Sequence, residues 1–144
     1  MTEKEIRHKI EYAFYNYKFL KETAQDYVLV YAERNLGIDY SRVRGSGGDI
    51  DGGLCKAIDK SRETYLWCRV VELTRERFRA DEDASIIIKD YFKGNREHRR
   101  HRMQAICTDL YISDTVFYDA LKKILNYAIN LAVQCGLIII CNDF

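Results

Sequence analysis

Positive charge is concentrated between Lys93 and Arg102. This basic segment contains one acid, Glu97, against five basic side chains: Lys93, Arg96, Arg99, Arg100 and Arg102. Such side chains bind the phosphates of nucleic acid, whatever the base sequence, and Lys123 is a further candidate for this role. A charge run can equally be a solvated face, so the residues that follow bear on its interpretation.

The next stretch, from Met103 to Ile124, has the pattern of two short helices joined by a tight turn. Ile106 and Leu110 lie four residues apart on one helical face, and an apolar stripe restarts at Phe117. Cys107 is small enough to lie inside the first helix where the second packs closely against it, as a helix-turn-helix requires. A helical hairpin in an ordinary core would show the same spacing.

The turn between these two helices is the least regular part of the motif. Ser113 is placed to cap the second helix, so that helix should begin at Asp114, whose charge suits the helix dipole. A tight turn often uses Gly or Asn for its left-handed backbone angle. This chain has Tyr111 there, which must adopt that angle at some cost or relax the turn.

The overall composition limits the function classes. A length of 144 residues suits one domain, or a helical arm plus a small domain, and 47% hydrophobic residues suit a globular core. The net charge of +1 means that affinity for nucleic acid must come from local clustering. The N-terminal residues lack an apolar signal core, and no apolar run is long enough to span a bilayer. We therefore expect a cytoplasmic protein with no membrane partner.

Five scattered cysteines include no Cys-x-x-Cys pair, which argues against a disulfide framework and a zinc ribbon. His98 and His101 are three residues apart, but no further ligand at suitable spacing completes a metal site, and the neighbouring arginines oppose a divalent cation. Acidic pairs such as Glu63 and Glu72 have no partner base or nucleophile. The sequence therefore predicts no metal, no cofactor and no catalytic residue, and we expect a protein that is not an enzyme.

The pattern of the whole chain predicts an all-α fold. A capping box at Thr2 and Glu5 should open a long helix that ends near 35–37, with a heptad seam made by Ile6, Ile10, Ala13, Tyr17, Leu20, Ala24, Tyr27 and Tyr31. That seam needs another helix, in this chain or in a second copy. We interpret the glycine-rich residues 42–53 as a loop, after which Asp51 caps a second long helix reaching about Arg79.

Two shorter elements should follow this hairpin. Acids from Asp81 suit the start of a third helix that stops near Gly94. The last helix should end at Gly136, and the apolar residues after it should pack back on the domain or join a subunit contact. The predicted organisation is a long helical hairpin arm over residues 1–80, with its loop near 42–53, and a helix-turn-helix domain with an apolar tail over residues 81–144.

The order of the helices and three stretches of sequence carry a family resemblance. The helical order, the Tyr91-Phe92-x-Gly94 helix end, the run 106–118 (Ile-Cys-Thr-Asp-Leu-Tyr-Ile-Ser-x-x-x-Phe-Tyr) and the closing Ala132-x-x-x-Gly-Leu-Ile resemble the RinA/ArpU family of phage-encoded late-gene transcription activators. Those proteins carry a C-terminal helix-turn-helix similar to sigma-factor region four. The resemblance covers most of the chain in architecture and residues 91–138 in motif detail.

The resemblance implies that the second helix of the motif reads the major groove of double-stranded DNA. Carried over position by position, it designates six base-reading residues: Ser113, Asp114, Thr115, Tyr118, Asp119 and Lys122. The family commonly has a basic residue after the tyrosine, where this chain has Asp119. An acid repels phosphate and can at best accept a hydrogen bond from a cytosine amino group, so the family's base preference does not transfer.

Two functions from different classes remain open. The first is a phage or prophage DNA-binding transcriptional regulator, an activator by family analogy, whose long helices could mediate self-association into a homo-oligomer or contact RNA polymerase. The second is an all-helical interaction module for RNA polymerase or a phage protein, in which the helix-turn-helix is structural only. The two differ in the role that they assign to the basic segment.

Overall fold

The computed structural model describes residues 2–25 and 48–139, with side chains from residue 62 onward in the second range. These residues contain helices and no strand, so the prediction of an all-α fold is confirmed for them. The elements in chain order are α1 (Glu3–Tyr15), α2 (helical over 17–25), α3 (Gly48–Arg77), α4 (Glu82–Tyr91), a 3-10 turn (Arg96–His98), α5 (Arg99–Leu110) and α6 (Asp114–Gln134).

The first helix begins as predicted and is interrupted earlier than predicted. The Thr2 hydroxyl accepts from the backbone N–H of Glu5 at 3.2 Å, and the Glu5 carboxylate accepts from the N–H of Thr2 at 2.9 Å, which completes the capping box. The helix is broken at Asn16, whose side-chain amide donates to the Tyr12 carbonyl at 3.0 Å. Asparagine competes in this way with the helical hydrogen bonds. The prediction of one unbroken helix is therefore wrong at this position, and residues 26–47 of that prediction lie outside the described residues.

The start of α3 also differs from the prediction. Residues 48–53 are helical although three of the six, counted on the printed sequence, are glycines, and Asp51 lies inside the helix instead of capping it. Tertiary packing can override weak local propensity in this way. The later part of α3 supplies this tertiary packing, since Cys68, Val70 and Val71 are buried. Residues 42–47 of the predicted loop lie outside the described residues.

One hydrophobic core joins the N-terminal helix to the C-terminal helices. Its fully buried side chains come from α1, α3, α4 and α6 and from Ile138 after α6, and α1 packs on both α6 and α3. The seam of α1 therefore finds its partner helices within this chain. Within the described ranges this core extends across the predicted domain boundary at residue 80. Its largest buried side chains include Ile10, Val71, Ile87, Phe117, Leu121 and Ile124.

The start of α4 and the end of α6 lie where the sequence predicted them. Asp81 caps α4 by accepting from the Ala84 N–H at 3.2 Å. Gly136 takes a left-handed φ of 77°, and the Leu137 N–H then bonds to the Ala132 carbonyl at 2.9 Å. Ile138 is buried in the core, so the apolar tail packs back as far as that residue.

None of the helices in the described ranges combines the length and the apolar character needed to cross a bilayer.

Candidate nucleic-acid interface

The turn between α5 and α6 is stabilised by local hydrogen bonds. After Leu110, Tyr111 takes the left-handed angles φ 56° and ψ 42°, which is the first of the two outcomes that the sequence left open. Its N–H and that of Ile112 both bond to the Cys107 carbonyl, the latter at 3.1 Å. This pattern ends a helix and redirects the chain at once. The Tyr111 side chain is 96% exposed, so the fold gains almost no burial from it.

The start of α6 carries the predicted cap. The Ser113 hydroxyl accepts from the backbone N–H of Val116 at 3.2 Å, and the helix begins at Asp114. Because a cap satisfies one of the free N–H groups of the first turn, it determines where the helix begins. The connection between α5 and α6 is thus limited to residues 111–113.

Cys107 lies where α5 meets this turn. Its side chain is buried, with Sγ 3.7 Å from the Met103 sulfur and 3.9 Å from the Ser113 carbonyl oxygen. Burial raises the pKa of the Cys107 thiol, and the nearby Asp114 carboxylate raises it further. The side chain at the close contact between α5 and the turn is therefore neutral, and it is small, as the sequence predicted.

The six predicted base-reading residues are exposed on α6 and its cap, with Asp114 beside Cys107 at the turn. Phe117, Leu121 and Ile124 turn the opposite side of the helix into the core. Because helical residues four apart share a face, the exposed residues form two parallel rows along α6. All of the predicted positions are exposed: Ser113, Asp114, Thr115, Tyr118, Asp119, Lys122 and, for phosphate, Lys123.

Two of the predicted phosphate-binding arginines are engaged in contacts within the fold. Arg102 donates to the Tyr91 carbonyl at 2.8 Å, to the Asn95 carbonyl at 2.5 Å and to the Tyr15 hydroxyl at 3.0 Å. Its guanidinium also stands over the Tyr15 ring, 5.6 Å from the centroid. Arg102 therefore joins α1 to α5 and is not available as a simple phosphate contact. Arg96 is paired with Glu11 of α1, but its side chain stays 43% exposed.

The other basic side chains of the segment remain on the surface. Lys93, Arg99 and Arg100 are exposed, and Arg99 makes one hydrogen bond, from Nη1 to the Arg96 carbonyl at 3.3 Å. Arg99 and Arg100 lie at the start of α5, the helix that leads into the turn, and Lys93 lies between α4 and the 3-10 turn. Within 2–25 and 48–139, no group of three His, Cys, Asp or Glu side chains is placed to hold a metal ion.

Tyr91 brings the basic segment and α6 to the same part of the molecule. Its ring packs against Phe117 of α6, with centroids 5.2 Å apart. The pKa of the Tyr91 hydroxyl is raised to about 12, mainly by burial and to a smaller extent by Tyr15, Glu11 and Tyr118, while Arg99 lowers it. The same hydroxyl thus responds to charges on α1, on α5 and on α6. Arg99 at the start of α5 and the first turns of α6 therefore both lie near Tyr91.

Sequence reasoning missed the contribution of α1 to this surface. Glu11 and Tyr15 contact residues 85 and 87 positions away along the chain, and no sequence motif indicates such pairs. One signal was available, because Glu11 directly follows Ile10 on the apolar side of α1 and is itself buried. A charged residue in that place usually has a partner.

Comparisons with models of known protein families, with curated proteins and with solved structures found no match for this chain.

Proposed function

We propose that this protein is a sequence-specific regulator of transcription that binds double-stranded DNA through α5 and α6, and that it is encoded by a phage or prophage. The observation that carries the proposal is the combination of a three-residue capped turn with an exposed α6 face and exposed arginines at the start of α5. In a helix-turn-helix, the second helix enters the major groove while flanking residues contact the backbone. Activation of late genes is the part that the RinA/ArpU resemblance adds, by analogy of fold.

The two surfaces have separate tasks in this proposal. Arg99, Arg100 and Lys93 neutralise phosphates and supply affinity for any duplex. Tyr118 and Lys122 stand on the exposed side of α6, where their side chains can reach base edges. Asp119, between them, repels phosphate and accepts hydrogen bonds, so its natural partner is a cytosine amino group. The proposal includes no catalytic step.

The proposal is tested by fluorescence-anisotropy titrations with duplexes from the gene's own neighbourhood, at 50, 100 and 200 mM salt. We expect tight binding to one fragment and a steep loss of affinity with salt. The double variant Arg99→Ala, Arg100→Ala should weaken binding to every duplex and flatten the salt dependence by about 0.9 in log–log slope per lost contact. Lys89→Ala, an exposed lysine beside the groove between α3 and α4, is the matched control and should leave the slope unchanged.

Variants of α6 test the specificity. Tyr118→Ala and Lys122→Ala should reduce the preference for the selected fragment over the others. The log–log slope of affinity against salt should change by no more than the amount expected for one phosphate contact. No binding at 50 mM salt would refute the DNA-binding function. If the α6 variants instead lost the same affinity for every fragment, the protein would still bind DNA but would not read its sequence through this helix.

The alternative function, a protein-interaction module, is favoured by exposed aromatic side chains on the N-terminal helices. Tyr12 is 51% exposed and Phe19 is 61% exposed. The seam residues Tyr17 and Leu20, by contrast, pack against the core, and Arg75 stands over the Tyr17 ring at 4.4 Å. A charge at either seam position should therefore unfold the protein and would not report on a partner. Phe19→Asp is the informative variant, since it should abolish partner binding without loss of fold if this alternative holds.

A further inference from the structure

Two arginines from distant parts of the chain share one carboxylate near the basic segment. Glu11 accepts from Arg7 Nε through Oε1 at 3.1 Å and from Arg96 Nη2 through Oε2 at 3.2 Å. His8 Nδ1 lies 2.7 Å from Arg96 Nη1. We call Arg7, Glu11 and Arg96 the α1 arginine cluster. It joins the first helix of the chain to the 3-10 turn that precedes α5.

The exposures in this cluster are unequal. The Glu11 side chain is 11% exposed, whereas those of Arg7 and Arg96 are 55% and 43% exposed. A guanidinium has five N–H donors, so each arginine keeps donors for a ligand after its bond to Glu11. The buried carboxylate thus reduces the repulsion between two cations and leaves both facing solvent. With two positive groups and one negative group, the cluster carries a net positive charge.

The position of the cluster makes it continuous with the surface proposed to bind DNA. Arg96 belongs to the basic segment itself, and its carbonyl accepts the hydrogen bond from Arg99. Glu11 is close enough to the Tyr91 hydroxyl to affect its pKa, as are Arg99 and Tyr118. Arg102 makes a second connection of the same kind, through the Tyr15 hydroxyl of α1. Exposed guanidinium groups therefore extend from the start of α5 onto α1.

We propose that the α1 arginine cluster binds the phosphate backbone of duplex DNA, so that α1 is part of the DNA interface and Arg7 is a phosphate contact. This inference rests on the proposed function. Glu11 is a positioning residue in it, because it holds Arg7 and Arg96 side by side. The contact is electrostatic, and it adds the same affinity to every sequence.

The test compares the salt dependence of DNA binding in Arg7→Gln and Lys9→Gln. Both variants remove one exposed positive charge from α1, but at about 100° per residue the two side chains point roughly 200° apart around the helix. Arg7→Gln should lower the log–log slope by about 0.9, which makes the loss of affinity between 50 and 200 mM salt about 3.5-fold smaller. Arg7→Lys, which keeps the charge, should retain the wild-type slope.

The outcomes separate this inference from the proposed function. An unchanged slope in Arg7→Gln, together with a lower slope in the Arg99→Ala, Arg100→Ala variant, would overturn the role of α1 and leave the DNA-binding function standing. Equal slope changes in Arg7→Gln and Lys9→Gln would also overturn it, since only net charge would then matter. No DNA binding by the wild-type protein would overturn both. Thermal unfolding of each variant checks that the fold is retained, and Arg7→Lys gives a reading that is independent of the glutamine substitution.

Discussion

Replacing Tyr111 by glycine should stabilise the protein, although it removes a large side chain. Tyr111 has a φ of 56° and is 96% exposed. The left-handed conformation costs an L-residue about 1–2 kcal/mol, and almost no burial offsets that cost. Glycine removes this strain and adds about 0.5–1 kcal/mol of backbone entropy cost. The expected net gain is therefore about 0.5–1 kcal/mol, or on the order of 2 °C in Tm for a chain of this size.

Urea unfolding followed by circular dichroism measures this difference directly. Tyr12→Gly is the matched control, because Tyr12 is a half-exposed tyrosine within α1. Glycine inside a helix should cost about 1 kcal/mol, so the same substitution should have opposite signs at the two positions. A loss of more than about 0.5 kcal/mol in Tyr111→Gly would refute the reasoning, since the tyrosine would then contribute more to the fold than its backbone angle costs.

Three further predictions concern the turn and its surroundings. Ser113→Ala should lower the free energy of unfolding by about 1 kcal/mol through loss of the cap, whereas Ser113→Asp should restore it; equal urea midpoints for the alanine variant and the wild type would contradict the role of this cap. Cys107→Phe should crowd the contact with Ser113, cost about 1–3 kcal/mol and weaken DNA binding in the anisotropy assay, and retained affinity would show that the spacing of α5 and α6 is not critical. The pKa of Tyr91 is about 12 in the folded protein against an ordinary value of 10.0, so the stability that Tyr91 contributes should be complete below pH 10 and lost as the pH rises to 12. The ultraviolet absorbance change of tyrosine ionisation near pH 12 should therefore be smaller in Tyr91→Phe, and an unchanged titration curve would contradict the assignment.

Local hydrogen bonds explain which parts of this structure were predictable from sequence. The caps at Thr2, Asp81 and Ser113 and the chain reversal at Gly136 each depend on groups within five residues of one another. Residue type and spacing are sufficient to identify such contacts. The same reasoning identified Tyr111 as the position where a tight turn needs a left-handed angle and predicted that α6 begins at Asp114. The exposed side of α6 followed from the helical period of its apolar residues.

Tertiary structure decided the other features. The sequence shows five basic side chains in the segment as equivalent, but contacts with residues 85 to 88 positions away set Arg96 and Arg102 apart from Arg99 and Arg100. Local spacing carries no information about such pairs. It also could not show that α1 packs on α6 and α3 in one core, because the seam of α1 would suit any apolar helix. By itself, therefore, the sequence determined the helix caps and the start of α6, whereas the packing of α1 against the C-terminal helices determined which basic side chains of the segment are paired within the fold.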